Sequence, residues 1–278
     1  MPYDAEISRN QPSCFLFLID QSGSMDEKMP TTGKSKAQFV ADVLNKTLYQ
    51  LIIRCGRAEG VRNYFEIGVL AYGDTTVRSG FGGALNQGII HPLSAVAENP
   101  LRIEERTKTV DDGAGGFIKQ NTKFPIWFEP VMSGGTPMCA AFHQTAEVLV
   151  DWCDRHPGSY PPTVIHVTDG QSTDGAPGLI VDQIKRISTQ NGECLVFNLH
   201  VDASEAESVV FPAEKSVLPD SYSQLLFDMS SLIPPILLPI ARDYYPGTAD
   251  DARFFAYKAG IEAVVNFFVI GTQASNMR

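Results

Sequence analysis

The sequence predicts an α/β fold in which a mostly parallel sheet carries helices on both faces. Continuous apolar runs recur along the chain, which is typical of strands that are buried on both sides. Segments with apolar residues at helical spacing separate these runs, and such alternation favours parallel strands joined by helices. The chain has 278 residues, 44% of them hydrophobic and 19% charged, so its length suffices for one large domain with a substantial core.

The first part of the chain supplies two core strands and one long helix. Residues 14–20 form a continuous apolar run that ends in a polar turn, and residues 64–73 form a second such run. Between the two runs, apolar residues at helical spacing predict a helix over residues 34–54. This order of elements gives a strand, a crossover helix and a parallel strand.

The next segment is rich in glycine, proline and asparagine, and its pattern is looser. We interpret it as an antiparallel strand followed by an insertion at about residues 81–131, with short strands near residues 76–78 and 123–128. A structureless insertion of this length is unusual in a compact domain, which favours either a function or a small subdomain. Three of its aromatic residues, Phe117, Trp127 and Phe128, can form either a contact patch or a small core, and a core is favoured.

The second part of the chain continues the alternation. Thr136 fits the N-cap and Pro137 the first position of a helix over residues 137–155. No linker or repeat interrupts residues 1–278, which predicts a single domain with a helical C-terminal extension at about residues 221–278. The other predicted elements are strands over residues 163–170, 194–202 and 209–211 and helices over residues 178–189, 222–241 and 251–268. The last two helices are expected to be interrupted at Pro234-Pro235 and Pro246-Gly247.

Charge and cysteine content exclude several classes of protein. The formal net charge of −10 argues against broad nucleic-acid binding and against binding to anionic membranes. The five cysteines are odd in number and lack CxxC spacing, so they indicate neither a disulfide framework nor a zinc cluster. No secretory signal or membrane span is visible. We therefore expect a soluble, cytoplasmic protein with reduced thiols and without nucleic-acid or membrane partners.

Three polar segments follow or adjoin core elements at one predicted edge of the sheet. Asp20, Ser22 and Ser24 follow the first strand, Asp169 follows the third, and Thr136 stands at a helix start. Ligands of open α/β sheets bind beyond the carboxyl ends of the strands. Taken singly, Thr136 can be an N-cap and Asp169 part of a turn, but their combination favours one shared site.

The two carboxylates and three hydroxyls of these segments are oxygen ligands, which hard cations such as Mg²⁺ prefer. Gly23 permits the tight turn that returns both serines toward the strand end. Two carboxylates only balance a divalent ion, so the metal stays electrophilic. An Asp or Glu from a partner protein can then complete its coordination.

The segments "FLIDQSGSM", "SGGTPM" and "HVTDGQSTDG" resemble the three parts of the metal-ion-dependent adhesion site of von Willebrand factor type A (VWA) domains. The resemblance covers about residues 13–202. It implies a Rossmann-like, doubly wound sheet with one antiparallel edge strand. It also implies Mg²⁺ as the preferred ion, with Mn²⁺ or Ca²⁺ as alternatives, and water between the ion and some ligands. The implied ligands are Asp20, Ser22, Ser24, Thr136 and Asp169. The insertion departs from the minimal family pattern.

The chain is also similar to bacterial cytosolic stand-alone VWA proteins of the tellurite-resistance and stress type. The resemblance implies a metal-dependent interaction module that binds a partner carboxylate. The alternative is an accessory or adaptor subunit of an AAA+ ATPase, a chelatase or a kinase–phosphatase stress-response system. A third interpretation, a metal-dependent phosphotransfer or hydrolytic enzyme, is disfavoured because the sequence contains neither HExxH nor GxSxG. We expect no catalytic and no organic cofactor-binding residues.

Other polar residues near these segments have simpler explanations than a place in the site. Residues 31–35, "TTGKS", lack the first glycine of a phosphate-binding loop, so Lys34 and Lys36 are expected to be solvated at a helix start. Asp26 and Glu27 are expected in a solvated loop. Asp174 is expected to shape the turn after Asp169.

Overall fold

Strands and helices alternate along most of the chain. The computed structural model describes residues 3, 5–30, 32–111, 116–204 and 207–273. The strands are β1 (Ser13–Asp20), β2 (Gly56–Arg57), β3 (Gly60–Val61), β4 (Phe65–Gly73), β5 (Thr76–Ser79), β6 (Ile90–Pro92), β7 (Arg102–Asp111), β8 (Phe117–Ile126), β9 (Thr163–Thr168), β10 (Ser188–Thr189), β11 (Gly192–Glu193), β12 (Leu195–Val201), β13 (Val209–Val210) and β14 (Phe255–Ala259). The α-helices are α1 (Lys36–Cys55), α2 (Leu93–Glu98), α3 (Met138–Arg155), α4 (Gly178–Ile184), α5 (Ser221–Met229), α6 (Leu238–Tyr244) and α7 (Ile261–Gly271).

The central sheet has the strand order β13-β14-β12-β9-β1-β4-β5, and β6 also pairs with β4. β1 runs parallel to β4 and β9, and β12 runs parallel to β9 and β14. β5 and β6 pair antiparallel with β4 at one edge. The short β13 pairs antiparallel with β14 at the other edge. The predicted mostly parallel sheet with an antiparallel edge is confirmed, and the carboxyl ends of its parallel strands share one side.

Alternate side chains of β1 enter two separate cores, because successive residues of a strand point to opposite faces. Phe17 and Ile19 belong to the core that α1 and α7 cover. Leu16 and Leu18 belong to the core that α3, α4 and α5 cover. All four side chains are buried, which explains why the strand is apolar on both faces. The predicted helices on both faces of the sheet are confirmed.

Helix α1 is amphipathic and begins within two residues of its predicted start. Ser35 caps its first turn by accepting a backbone N–H through its hydroxyl. The helix buries Val40, Leu44, Leu48 and Leu51, about one residue per turn, against the sheet. This packing fixes the start of α1 close to the carboxyl end of β1.

Residues 81–131 contain more secondary structure than the looser sequence pattern predicts, although the strand predicted near residues 123–128 overlaps the end of β8. β6 and α2 return the chain to the sheet, and β7 and β8 form a long antiparallel hairpin. Residues 112–115 and the side chain of Phe117 lie outside the described residues. Trp127 and Phe128, which follow the hairpin, are buried in the core that α1 covers, as the sequence favours.

The C-terminal part differs from the predicted pair of helices. The segment predicted as a helix over residues 251–268 begins with β14, which extends the central sheet beside β12. The segment predicted over residues 222–241 is divided into α5 and α6, as the predicted interruption at Pro234 and Pro235 requires, because these residues lack the N–H groups of a helix interior. The helix predicted over residues 178–189 ends at Ile184, and β10 and β11 follow it.

All five cysteines are buried and free of disulfide bonds. Within the described ranges, no helix combines the length and the apolar character that crossing a membrane requires.

A buried polar chain crosses the sheet beneath its carboxyl edge. His166 Nε2 lies 2.7 Å from the hydroxyl of Tyr72, and His166 Nδ1 lies 2.8 Å from Asn198 Oδ1. Asn198 Nδ2 in turn donates to the hydroxyl of Ser230 at 2.9 Å. Burial lowers the pKa of His166 to about 4, although the hydrogen bond to Asn198 opposes this shift. His166 is therefore a neutral core residue that links three strands through hydrogen bonds.

Acidification should destabilise the fold through His166. Its pKa is lower in the folded chain than in the unfolded chain, so its stabilising contribution is present above the unfolded pKa and is lost as pH falls toward 4. We expect about 2 kcal/mol of the free energy of unfolding to be lost from this group by pH 5. Urea unfolding from pH 7.5 to 5 measures it in the wild type, His166→Gln and the exposed-site control His143→Gln. An unchanged pH dependence in His166→Gln would contradict this assignment.

Candidate metal site

Asp20 ends β1, and its buried carboxylate has a different partner on each oxygen. Oδ1 accepts the backbone N–H of Ser22 at 2.8 Å, and Oδ2 accepts the hydroxyl of Thr168 at 2.7 Å. Thr168 lies beside Asp20 because β9 and β1 are parallel neighbours in the sheet. Burial raises the pKa of Asp20 to about 6, and the hydrogen bonds from Ser22 and Thr168 limit the rise. A nearby cation would therefore stabilise this carboxylate.

The two serines connect the end of β1 with the end of β9. Ser22 Oγ lies 3.1 Å from Ser24 Oγ, and Ser24 Oγ donates to Asp169 Oδ1 at 2.7 Å. A short 3-10 turn over Gly23–Asp26 begins after Ser22, whose side chain does not cap it. The hydroxyls of Ser22 and Ser24 thus face each other, and Ser24 links this pair to Asp169.

The loop before α3 is held against the turn after β1. The N–H of Gly23 donates to the carbonyl oxygen of Gly134 at 3.0 Å. Gly134 has a φ of 60°, and a Cβ at this position would lie only 2.4 Å from Asp74 Oδ1. Both the left-handed backbone and the close approach therefore require glycine here. The close approach of Asp74 therefore restricts which residue can occupy position 134, in the loop that carries Thr136.

The hydroxyls of Ser24 and Thr136 approach one point from different loops. A Cβ at Gly170 would lie 3.7 Å from Ser24 Oγ and 3.9 Å from Thr136 Oγ1. Thr136 is fixed by its backbone, since its N–H donates to Thr173 Oγ1 and its carbonyl accepts the N–H of Thr173, both at 2.9 Å. The prediction that Thr136 caps α3 is wrong, because Pro137 holds the N-cap position. The hydroxyl of Thr136 does not cap the helix.

Lys36 lies in the same cluster, contrary to the prediction that it is solvated. Its side chain is only 5% exposed, and Nζ lies 2.6 Å from Asp169 Oδ2 and 2.7 Å from Glu27 Oε2. Burial lowers the pKa of Lys36, but the ion pairs with Asp169 and Glu27 outweigh burial and raise it above the ordinary value. Lys34, in contrast, is half exposed and pairs with Asp42. Lys34 is therefore partly solvated, which is closer to the prediction.

The donor set fits a hard divalent cation. Within the described ranges, no group of three or more His, Cys, Asp and Glu side chains is placed to hold a metal ion. The cluster instead combines two carboxylates with three hydroxyls, all of them oxygen donors. Asp169 Oδ2 is buried, and the neighbour that balances its charge is Lys36 Nζ at 2.6 Å.

Asp174, Asp26 and Glu27 stand around this cluster. Asp174 accepts the hydroxyl of Ser172 at 2.8 Å, which shapes the turn as predicted. Its two oxygens also accept the first N–H groups of α3, so it takes the capping role that the sequence assigns to Thr136. Asp26 and Glu27 are exposed, as expected of a solvated loop, and Glu27 reaches inward only to pair with Lys36.

Three contributors to this cluster are missed by sequence reasoning. Thr168 orients Asp20, Lys36 pairs with Asp169, and the hydroxyl of Tyr222 on α5 donates to the carbonyl oxygen of Gly170. The position of Thr168 follows from strand adjacency and is accessible to pattern reasoning in principle. Lys36 and Tyr222 depend on loop paths that bring distant segments together.

Comparison with known proteins gives only distant likenesses. No family model matches the chain, and no curated protein matches it. Among solved structures, the ArnB paralog VWA2 from Sulfolobus acidocaldarius is 12% identical with a TM-score of 0.37, over 71% of this chain and 36% of that chain. The pilus adhesin SpaC from Lactobacillus rhamnosus GG is 12% identical with a TM-score of 0.44, over 95% of this chain and 30% of that chain.

The vWF domain of the type V pili tip protein Mfa5 from Porphyromonas gingivalis is 14% identical with a TM-score of 0.31, over 58% of this chain and 39% of that chain. The matches therefore span about a third of the length of each of these three chains. Likenesses of this distance do not assign a family, so any functional conclusion depends on the geometry of the cluster itself.

Proposed function

We propose that the chain is a VWA-type interaction module that binds one divalent cation, preferably Mg²⁺, at an adhesion-type site. The residues that would hold the ion are Asp20, Ser22, Ser24, Thr136 and Asp169. The observation that supports this best is the convergence of two carboxylates and three hydroxyls from three loops at the carboxyl edge of the sheet.

In this proposal each residue has a defined task. Asp20 and Asp169 supply the negative charge, and Ser22, Ser24 and Thr136 supply neutral oxygens. Thr168 holds the carboxylate of Asp20 in place by donating to Oδ2. The bound ion would supply an electrophilic centre, and an Asp or Glu side chain of a partner protein would bind to it.

We further propose that the module is not an enzyme and acts in the cytoplasm of a bacterium, in a stress-response setting. The buried and unpaired state of the five cysteines is compatible with a reducing compartment. Incubation with a generic phosphoester in Mg²⁺ or Mn²⁺ should give no turnover. Turnover that Asp20→Ala abolishes would favour the enzymatic interpretation instead.

Partner binding should require both the cation and Asp20. We expect the immobilised chain to capture a partner from native lysate in Mg²⁺, EDTA to release it, and Asp20→Ala to fail to capture it. Asp26→Ala is the matched control, because Asp26 is an exposed carboxylate in the same loop. Quantitative mass spectrometry of the captured proteins provides the measurement. Capture that persists through both EDTA and Asp20→Ala would overturn the proposal.

A further inference from the structure

The buried ammonium group of Lys36 is an unusual neighbour for a cation site. Its Nζ lies 2.6 Å from Asp169 Oδ2, and both side chains are almost entirely removed from solvent. The other carboxylate that Lys36 contacts, Glu27, is 62% exposed, so water already screens that charge. The pair with Asp169 is therefore the electrostatically stronger of the two contacts.

The loop between β1 and α1 is held by main-chain hydrogen bonds and does not require the Lys36 side chain. The backbone N–H of Lys36 donates to the carbonyl oxygen of Glu27 at 2.9 Å, and the N–H of Met29 donates to the carbonyl oxygen of Lys34 at 2.8 Å. Lys28 and Ser35 also form an isolated β-bridge across the same loop. These main-chain bonds bring the start of α1 back to the end of β1, and the Lys36 side chain then extends toward Asp169.

We propose that Lys36 is a tethered counter-ion that neutralises Asp169 in the metal-free protein and keeps the metal affinity of the site low. This inference rests on the proposed function and concerns the regulation of the same site. A cation that binds Asp169 must either displace the ammonium group or tolerate it nearby. Both cost affinity, so the protein releases its metal more readily than the oxygen ligands alone would allow.

Coulomb's law gives the expected loss of metal affinity that the positive charge of Lys36 causes. A divalent ion and an ammonium group separated by about 5 Å repel each other enough to lower affinity by about tenfold even with the dielectric constant of water. The effect grows in a partly buried site, where the effective dielectric constant is lower. Removal of the positive charge should therefore raise metal affinity by at least about tenfold.

Lys34 provides a matched control two residues away. It carries the same charge, lies beside the same loop and pairs with Asp42, outside the cluster. Its side chain is 50% exposed, so solvent screens its charge. Lys34→Met removes an equal charge from the chain without touching Asp169.

The experiment titrates EDTA-treated protein with Mn²⁺ alone by calorimetry, with thermal unfolding as a second readout. We expect Lys36→Met and Lys36→Gln to bind Mn²⁺ at least about tenfold more tightly than the wild type. Lys36→Arg, which retains the charge, and Lys34→Met should stay within about twofold of the wild type. Mn²⁺ should also raise the melting temperature more in Lys36→Met than in the wild type, since it replaces the lost partner of Asp169.

The outcomes separate this inference from the proposed function. If the wild type binds one Mn²⁺ and the neutral Lys36 variants bind it equally or more weakly, Lys36 is a structural residue and the inference is overturned. If Lys34→Met tightens binding as much as Lys36→Met, general charge explains the effect and the inference is likewise overturned. If no variant binds Mn²⁺ at all, the proposed metal site itself is wrong.

Discussion

Replacing Asp20 by asparagine is expected to weaken Mg²⁺ or Mn²⁺ binding by at least about 100-fold, because it removes one of the two charges that balance the ion. The same change should leave the metal-free protein at least as stable as the wild type. Asparagine keeps the shape of the side chain and can still accept the N–H of Ser22. Its amide nitrogen cannot accept the hydroxyl of Thr168 but can donate to that hydroxyl oxygen, and the fold no longer buries a negative charge. A loss of binding without a loss of folding would identify Asp20 as a ligand.

Calorimetric titration with Mn²⁺ measures the first effect, and urea unfolding in EDTA and in Mg²⁺ measures the second. Wild-type protein should gain stability from Mg²⁺, and Asp20→Asn should gain little or none. Asp26→Asn, which removes an exposed carboxylate from the same loop, should behave like the wild type. Equal Mn²⁺ affinity in Asp20→Asn and wild type would show that Asp20 is not a ligand.

Replacing Asn45 by alanine is expected to cost about 3 kcal/mol or more of the free energy of unfolding. Asn45 lies on α1 and is buried, and its Oδ1 accepts the N–H groups of Trp127 at 2.8 Å and Phe128 at 3.0 Å. Its Nδ2 donates to the carbonyl oxygen of Phe128 at 2.8 Å. Alanine would leave three buried backbone groups without a partner at the point where the insertion joins the core.

Urea unfolding monitored by tryptophan fluorescence reports this change directly, since Trp127 follows the hairpin and is buried beside α1. Lys46→Ala, at the next and exposed position of the same helix, should change the free energy of unfolding by less than about 0.5 kcal/mol. A loss in Asn45→Ala as small as that in Lys46→Ala would mean that the insertion is not anchored through this side chain.

The core strands were predictable because burial on both faces forces them to be apolar. β1, β4, β9 and β12 are such strands, and each lies within a few residues of its predicted position. The hairpin of β7 and β8 escapes the same reasoning, because it pairs outside the central sheet and its strands carry many charged residues. β14 escapes it as well, because α7 begins two residues after its end and the two elements form one largely apolar stretch that resembles a single helix.

The candidate site also combines residues whose position the sequence predicts with residues whose position it does not predict. Asp20, Ser22, Ser24 and Asp169 follow strand ends, so parallel pairing alone brings them to one edge of the sheet. The contribution of Lys36 was not predictable, because it depends on how the loop before α1 folds back. A lysine at a helix start is normally solvated, and here the main-chain bonds of that loop direct it inward.

Anomalous scattering from a crystal soaked in Mn²⁺ tests the central claim most directly, because it locates the ion instead of inferring it from affinity. We expect a single Mn²⁺ peak within the cluster formed by Asp20, Ser22, Ser24, Thr136 and Asp169. The peak should be absent from crystals of Asp20→Asn. A wild-type crystal with no peak in this cluster, or with Mn²⁺ bound only elsewhere, would contradict the account.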